Sequence, residues 1–280
     1  MEQQSRNWPL VAAVQLNSQD DVAHNLAAVA RHVADAARRG AELVLLPENF
    51  AFMGGSDEQR RAVAEPVDGE GPILTALRQL ARQHRVTLIG GGFPERTPDP
   101  DRPHNTAVVV DPSGEVRAVY RKIHLFDVEV GDGQSYRESA AVTAGTDPQV
   151  VEVTTSAGPL RVGLSICYDL RFPELYRRLV DLGAQLLVVP AAFTLVTGKD
   201  HWHVLLRARA IEAQCHVLAA AQWGQHPRGR TTYGKSLVVD PWGDVIAQAS
   251  EGTGVVVAPV DLDRLADVRR RLPSLAHRRL

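Results

Sequence analysis

Two stretches of the chain carry the same three-part pattern. Residues 10–16 (LVAAVQL) form an apolar run of strand length, and Val22, Leu26, Val29 and Val33 follow at helical spacing. Gly40 closes that helix, and residues 43–46 (LVLL) form a second apolar run. The pattern recurs as residues 160–166 (LRVGLSI), a helix over 173–182 closed by Gly183, and residues 186–189 (LLVV). Strand, helix, strand units of this kind predict a sheet covered by helices. The duplication is weak and has no solenoid period.

Elsewhere the texture is richer in strands. Residues 106–110 and 116–123 flank Asp111-Pro112-Ser113-Gly114, and residues 237–239 and 245–247 flank Asp240-Pro241-Trp242-Gly243, which predicts two hairpins. Further helices are expected over 72–84, over 200–215 with Val204, Ala208, Ile211 and Cys215 on one apolar face, and from Leu262 onward. No linker rich in Gly, Pro or Ser divides the chain, so one domain of packed sheets with helices outside is expected over residues 1–280.

Lys plus Arg number 31 against 33 for Asp plus Glu, and a net charge of −2 gives no electrostatic reason to bind nucleic acid or an anionic membrane. Arg269, Arg270, Arg271, Arg278 and Arg279 make the C-terminus locally basic and are read as a solvated helix face and tail. The start, MEQQSRNWPL, has no leader signature, and the apolar stretch over 186–193 is broken by Pro190 and is too short to span a bilayer. A cytoplasmic location follows as an expectation. Cys167 and Cys215 cannot form a disulfide framework in so long a chain, and both are expected to be reduced.

Residues 229–236 (GRTTYGKS) satisfy the phosphate-loop pattern G-x-x-x-x-G-K-[ST]. A phosphate cradle needs a helix directly after the Ser, and here a β-run and a turn follow. The segment is therefore read as a loop entering a strand, with a nucleotide hydrolase as the lesser alternative. Gly90-Gly91-Gly92 lacks dinucleotide-loop spacing and suits a close approach of two backbones. His201 and His203 fall on different helix faces, and no metal site is expected.

Cys167 ends an apolar strand just before Tyr168-Asp169-Leu170-Arg171-Phe172-Pro173, where Pro173 is placed to open a helix. Such a strand-to-helix turn lifts a side chain above the sheet, as a nucleophile elbow does. Cys215, on a helix face, reads instead as core. A thiol needs a base or a cation nearby to become a nucleophile. Glu48 directly follows a buried strand, and Lys122 lies in an apolar β-run. Each alone is more often a surface charge; with Cys167 they form a set.

The stretches Leu45-Leu46-Pro47-Glu48-Asn49, Tyr120-Arg121-Lys122-Ile123-His124, and Gly163-Leu164-Ser165-Ile166-Cys167-Tyr168 resemble, in this order, the three signature regions of the nitrilase superfamily of carbon–nitrogen hydrolases. Similarity continues through Asp240-Pro241-Trp242-Gly243 to the last residues and is greatest to the branch of deaminated glutathione amidases, with the ω-amidases next. Lys235 departs from the His usual in that branch. The resemblance implies an α/β fold, a four-layer αββα sandwich, in a homodimer. It implies an amidase without cofactor or metal, acting on a small carboxylated amide such as deaminated glutathione, or alternatively α-ketoglutaramate, through a cysteine acyl-enzyme. Cys167 would be the nucleophile, Glu48 the base, and Lys122 with the backbone N–H of Tyr168 the oxyanion donors. Glu138 would orient Lys122 or the substrate, a solvated loop charge being its alternative. Arg171, Phe193 and Thr197 would bind substrate, with Arg171 clamping a carboxylate.

Overall fold

The computed structural model describes residues 8–129 and 135–279. Most of the start read as leader-free, and parts of the span expected as one domain, fall on residues 1–7, 130–134 and 280, outside the described residues.

Period-two alternation sorts strand side chains onto two faces. Along Leu10–Gln15, Val11 and Ala13 face one core and Ala12 and Val14 another; over the run beginning at Leu43, Leu43 and Leu45 likewise oppose Val44 and Leu46. All are buried, so this sheet is covered on both sides. It has six strands in the order Gly254–Pro259, Leu10–Gln15, Leu43–Leu45, Thr87–Glu95, His104–Val110, Val116–Arg121. The second sheet also has six, in the order Val245–Gln248, Leu237–Val239, His216–Ala221, Leu186–Ala191, Gly158–Leu164, Val150–Thr155.

The inner faces share one core, in which Val11, Leu45 and Ile89 join Val189, Val217 and Ala219. Helices Val22–Arg38 and Pro72–His84 cover the outside of the first sheet through Val29, Val33, Leu74 and Leu77. Helices Pro173–Asp181 and Leu195–Ala213 cover the second through Leu175, Leu179, Leu206 and Ala210. The result is the four-layer αββα sandwich. Both strand, helix, strand units close with parallel pairing, Leu10–Gln15 with Leu43–Leu45 and Gly158–Leu164 with Leu186–Ala191. The two hairpins form as antiparallel pairs. No helix among the described residues is long and apolar enough to cross a membrane.

Four expectations need correction. The helix expected over 200–215 starts earlier, at Leu195, capped by the Thr194 hydroxyl, which accepts from the Thr197 N–H. Its buried side carries Trp202, Leu206, Arg209, Ala210 and Ala213, while Val204 and Ile211 are 65% and 47% exposed. Trp202 donates to the Lys235 carbonyl, and Arg209 donates twice to that of Leu170, so polar tips satisfied across the interface outweigh the simple apolar stripe. Cys215 follows the helix and is buried. At the C-terminus Arg269 is not merely solvated: it donates to the carbonyls of Gln214 and Ala184 and to the Cys215 sulfur, and Arg278 pairs with Asp181.

The glycine run lies where the two sheets approach. A Cβ on Gly91 would sit 1.9 Å from the Leu46 carbonyl oxygen and 2.5 Å from the Pro190 side chain. The pairing with His104–Val110 shifts register between Gly90 and Phe93, and Gly92 has φ +138°, a conformation that L side chains rarely adopt. Residues 229–236 have no helix after Ser236; Leu237–Val239 follows as a strand.

Candidate active site

Each candidate residue comes from the end of a strand. Glu48 follows Leu43–Leu45, Lys122 follows Val116–Arg121, and Cys167 follows Gly158–Leu164, so Lys122 lies just beyond its strand and not within it. The three converge at the bottom of a cavity of about 430 Å³. Cys167 opens a short 3-10 turn, Cys167–Arg171, with φ +50°, an uncommon conformation for a residue with a side chain. It is 7% exposed and faces the cavity instead of open solvent.

Asp169 secures that turn. Its buried carboxylate accepts from the Ile166 N–H at 2.8 Å, the Tyr120 hydroxyl at 2.6 Å, the His124 N–H at 3.0 Å and the His124 ring at 2.7 Å. The His124 ring stacks on Phe172 at 3.7 Å between centroids.

Glu48 is the electrostatic centre. One oxygen accepts from Lys122 Nζ at 3.0 Å and Asn105 Nδ2 at 2.9 Å; the other accepts from the Ala192 N–H at 3.1 Å and lies across from the second sheet. The Cys167 thiol lines the same cavity as the Glu48 carboxylate, close enough for each to shift the other's titration. Lys122 donates again to Glu138 Oε2 at 2.8 Å, an oxygen that also accepts from the Phe126 N–H. Glu138 is therefore an engaged partner of Lys122, and the solvated alternative is set aside.

Burial pushes the Glu48 carboxyl up, but the Lys122 charge and the bonds from Cys167 and Lys122 outweigh it, so the group stays below the usual carboxylate range. Burial lowers Lys122 as well, and the carboxylates of Glu138 and Glu48 more than restore it, leaving a firmly held cation. The Cys167 thiol is pushed well up, by burial first and the Glu48 charge second. At rest the site thus holds a neutral thiol against an ionised carboxylate. Lysine has three N–H groups, and two are bound to carboxylates, which leaves one for a ligand.

Arg171, Phe193 and Thr197 all line the cavity, with Tyr168 beside them. The Arg171 guanidinium lies over the Phe193 ring at 5.3 Å and the Tyr168 ring at 5.9 Å and is 3.3 Å from the His201 ring. Thr197 shares a 2.9 Å hydroxyl contact with Thr194. Sequence reasoning missed Asn105, Asp169, Gln222 and Arg230. Asn105 bridges Glu48 and Glu138, and Gln222 donates to the Glu48 carbonyl at 3.0 Å. A polar residue inside an apolar strand, as Asn105 is, was the available signal.

A strand-borne thiol, carboxylate and lysine on an αββα sandwich define a class, and the whole-chain comparison gives the same one. The carbon–nitrogen hydrolase family matches residues 10–270, and the chain belongs to that family. Its relatives include the deaminated glutathione amidase of Synechocystis sp., 47% identical over 273 residues, covering 96% of this chain and 97% of that one. The human deaminated glutathione amidase is 44% identical over 97% of this chain and 82% of its own length. Among solved structures, the Caenorhabditis elegans NitFhit protein superposes with a TM-score of 0.89 at 42% identity over 97% of this chain; the chain spans 65% of that longer protein. A Glu-to-Gln mutant of the amidase from Nesterenkonia sp. AN1, showing the result of Michael addition of acrylamide at the active-site cysteine, superposes with a TM-score of 0.75 at 30% identity, over 95% of this chain and 98% of that one. The chain is a carbon–nitrogen hydrolase of the amidase kind.

Proposed function

We propose that the protein hydrolyses a small carboxylated amide through an acyl-enzyme on Cys167. The observation that carries this reading is the Glu48 carboxylate, hydrogen-bonded to Lys122 and lining one cavity with the Cys167 thiol in a single buried cluster. Glu48 takes the thiol proton as sulfur attacks the carbonyl carbon and returns it to the leaving nitrogen. The third N–H of Lys122 and the backbone N–H of Tyr168 stabilise the oxyanion. Glu48 then draws a proton from water, which attacks the thioester carbon; the C–S bond breaks, the carboxylic acid leaves, and Glu48 returns the proton to the Cys167 sulfur. Glu138 positions Lys122 and does not touch the reacting atoms.

The favoured substrate is deaminated glutathione, the compound in the names of the relatives at 44–47% identity. Its α-keto acid carboxylate would lie against Arg171, whose fork suits a bidentate pair, with Phe193 and Thr197 on the same wall. α-Ketoglutaramate is the second candidate, because it carries the same acyl group. Incubation with either amide should release the acid and give an acyl adduct on the intact protein. Cys167→Ala should give neither while remaining folded, and Cys215→Ala should give both. Equal loss in both folded variants would reject Cys167 as the nucleophile.

The whole chain, residues 1–280, is taken as one catalytic domain acting in the cytoplasm, with both cysteines reduced; Cys167 and Cys215 are unpaired in the structure. A homodimer is supported by exposed apolar side chains: Ile211 of helix Leu195–Ala213 lies against Gly243 in the turn that carries the exposed Trp242, and Val245 and Ile246 of the strand that follows are exposed as well. Sedimentation of the purified protein tests it, with a monomer at micromolar concentration as the contrary result.

A further inference from the structure

Glu48 and Lys122 follow strands Leu43–Leu45 and Val116–Arg121, which Thr87–Glu95 and His104–Val110 separate in the first sheet. Asn105, on His104–Val110, closes that gap. Its main-chain carbonyl accepts from the Lys122 N–H at 2.9 Å, and its Nδ2 donates to Glu48 Oε1 at 2.9 Å and to Glu138 Oε1 at 3.3 Å. To reach Glu48 the amide crosses the intervening strand at Gly92, where a Cβ would stand 2.7 Å from Asn105 Oδ1 and 3.4 Å from Glu48 Cγ. The bare glycine leaves that passage open.

This placement has a cost. Asn105 Oδ1 is buried and has no hydrogen-bond partner among the described residues, and a buried acceptor without a donor is destabilising. Turning the amide over would set that oxygen against two carboxylates, so both N–H groups are committed to Glu48 and Glu138. A side chain kept for packing alone would not need an orphaned oxygen. One kept to hold two carboxylates would.

A carboxylate oxygen has two lone pairs for hydrogen bonds. Those of Glu48 Oε1 are filled by Lys122 Nζ at 3.0 Å and by Asn105, whereas Oε2 accepts from the Ala192 N–H and keeps one for a proton. We propose that Asn105 is a positioning residue that closes Oε1 of Glu48, so that Oε2 is the oxygen that takes the proton from the Cys167 sulfur and delivers it to the leaving nitrogen. The assignment rests on the Cys167 acyl-transfer reading. Without the amide, Oε1 regains an open lone pair and can hold the proton there, away from its productive place on Oε2. The ionised form of Glu48 also loses a donor, so the carboxylate takes up its proton at higher pH. The other titratable and charged groups facing Glu48 are Lys122, Glu138, Cys167 and Arg230; an Asn105 variant keeps all four.

The test is Asn105→Leu, close in size and without a donor, read in two ways. With an α-keto acid amide, kcat should fall about 10- to 100-fold at unchanged KM, the range for one lost charged hydrogen bond. The acid limb of kcat/KM, and that of Cys167 alkylation by iodoacetamide followed by peptide mass, should both move up by about one to two pH units. A folded Asn105→Leu whose limbs stay at the wild-type pH, whatever its turnover, overturns the proposal, because a merely structural role lowers amplitude without moving the limb. Should Asn105→Leu fail to fold, asparagine side-chain NH2 resonances of the wild-type chain and of Glu48→Gln are compared at neutral pH. A pair shifted downfield by the carboxylate in wild type and relaxed in Glu48→Gln is expected; identical spectra overturn the proposal. Alkylation of Cys167 as fast in Glu48→Gln as in wild type instead rejects Glu48 as the base, and with it the acyl-transfer reading.

Discussion

The Tyr120 hydroxyl donates to the Asp169 carboxylate at 2.6 Å, tying the strand that leads into Lys122 to the turn that presents Cys167. The same carboxylate accepts from Ile166 and His124, so one fully buried anion joins the segments that carry the Cys167 thiol and the Lys122 cation.

Asp169→Asn should weaken both fold and turnover. An amide supplies one acceptor oxygen in place of two and brings a donor into a site where every neighbour already donates, a loss of about 2–4 kcal/mol for a buried, multiply bonded carboxylate. Denaturant unfolding and kcat measured on the folded fraction check this; a variant with wild-type midpoint and turnover would show the clamp to be idle.

Glu48→Gln and Lys122→Met should each lower kcat by at least ~10²-fold, the scale for losing one preorganised donor or the base. They should differ in stability. Glu48→Gln leaves Lys122 paired with Glu138, whereas Lys122→Met leaves two carboxylates that share Asn105 without their cation. Lys122→Met should therefore unfold more readily, as thermal melts would show. Because the Glu48 carboxyl is held below its ordinary value, its contribution is present above that value and fades as pH falls through the lowered one. The acid limb of kcat/KM should accordingly lie below the ordinary carboxylate range.

Much of this molecule could be read from sequence because its signals are local. The strand, helix, strand units, both hairpin turns and the Cys167 elbow depend on residues within a few positions of one another. The partners of Asn105, Gln222 and Arg230 were not legible for the opposite reason: Glu48 and Ala192 follow other strands, and only the folded sandwich makes them neighbours. The face of helix Leu195–Ala213 was misassigned because Arg209 is buried; its charge is met by Leu170 and Glu212, which a hydropathy pattern does not see.

His226 predicts how the fold responds to acid. Burial, and secondarily the Arg230 charge, lower its pKa to about 4, and its ring bridges the Ser18 carbonyl at 2.8 Å and the Thr232 hydroxyl at 2.7 Å. An unfolded His takes up its proton near pH 6.5, which the folded one refuses, so stability falls as pH drops from about 6.5 to about 4, by up to about 3 kcal/mol. Denaturant midpoints across that range should flatten in His226→Gln relative to wild type; identical pH slopes would remove His226 as the cause.

Arg171→Lys should raise KM for α-keto acid amides far more than for a neutral amide, because a point charge replaces a planar fork that also stacks on two rings. Equal increases for both substrates would make Arg171 a packing residue.

The contact at Gly91 has a mechanical meaning. Packed sheets ordinarily keep about 10 Å between them, yet here a Cβ on Gly91 of the first would meet the Pro190 side chain of the second at 2.5 Å, as well as the Leu46 carbonyl of its own sheet. Leu46 and Pro190 each stand two residues before the pair that bridges the sheets, in which the Ala192 N–H of the second sheet donates to the Glu48 carboxylate carried by the first. A single added methyl at Gly91 would act as a wedge, parting the two halves of the cluster while leaving every reacting group chemically intact. Inactivation by Gly91→Ala would thus be a failure of spacing, which chemical rescue of the thiol or the base could not repair.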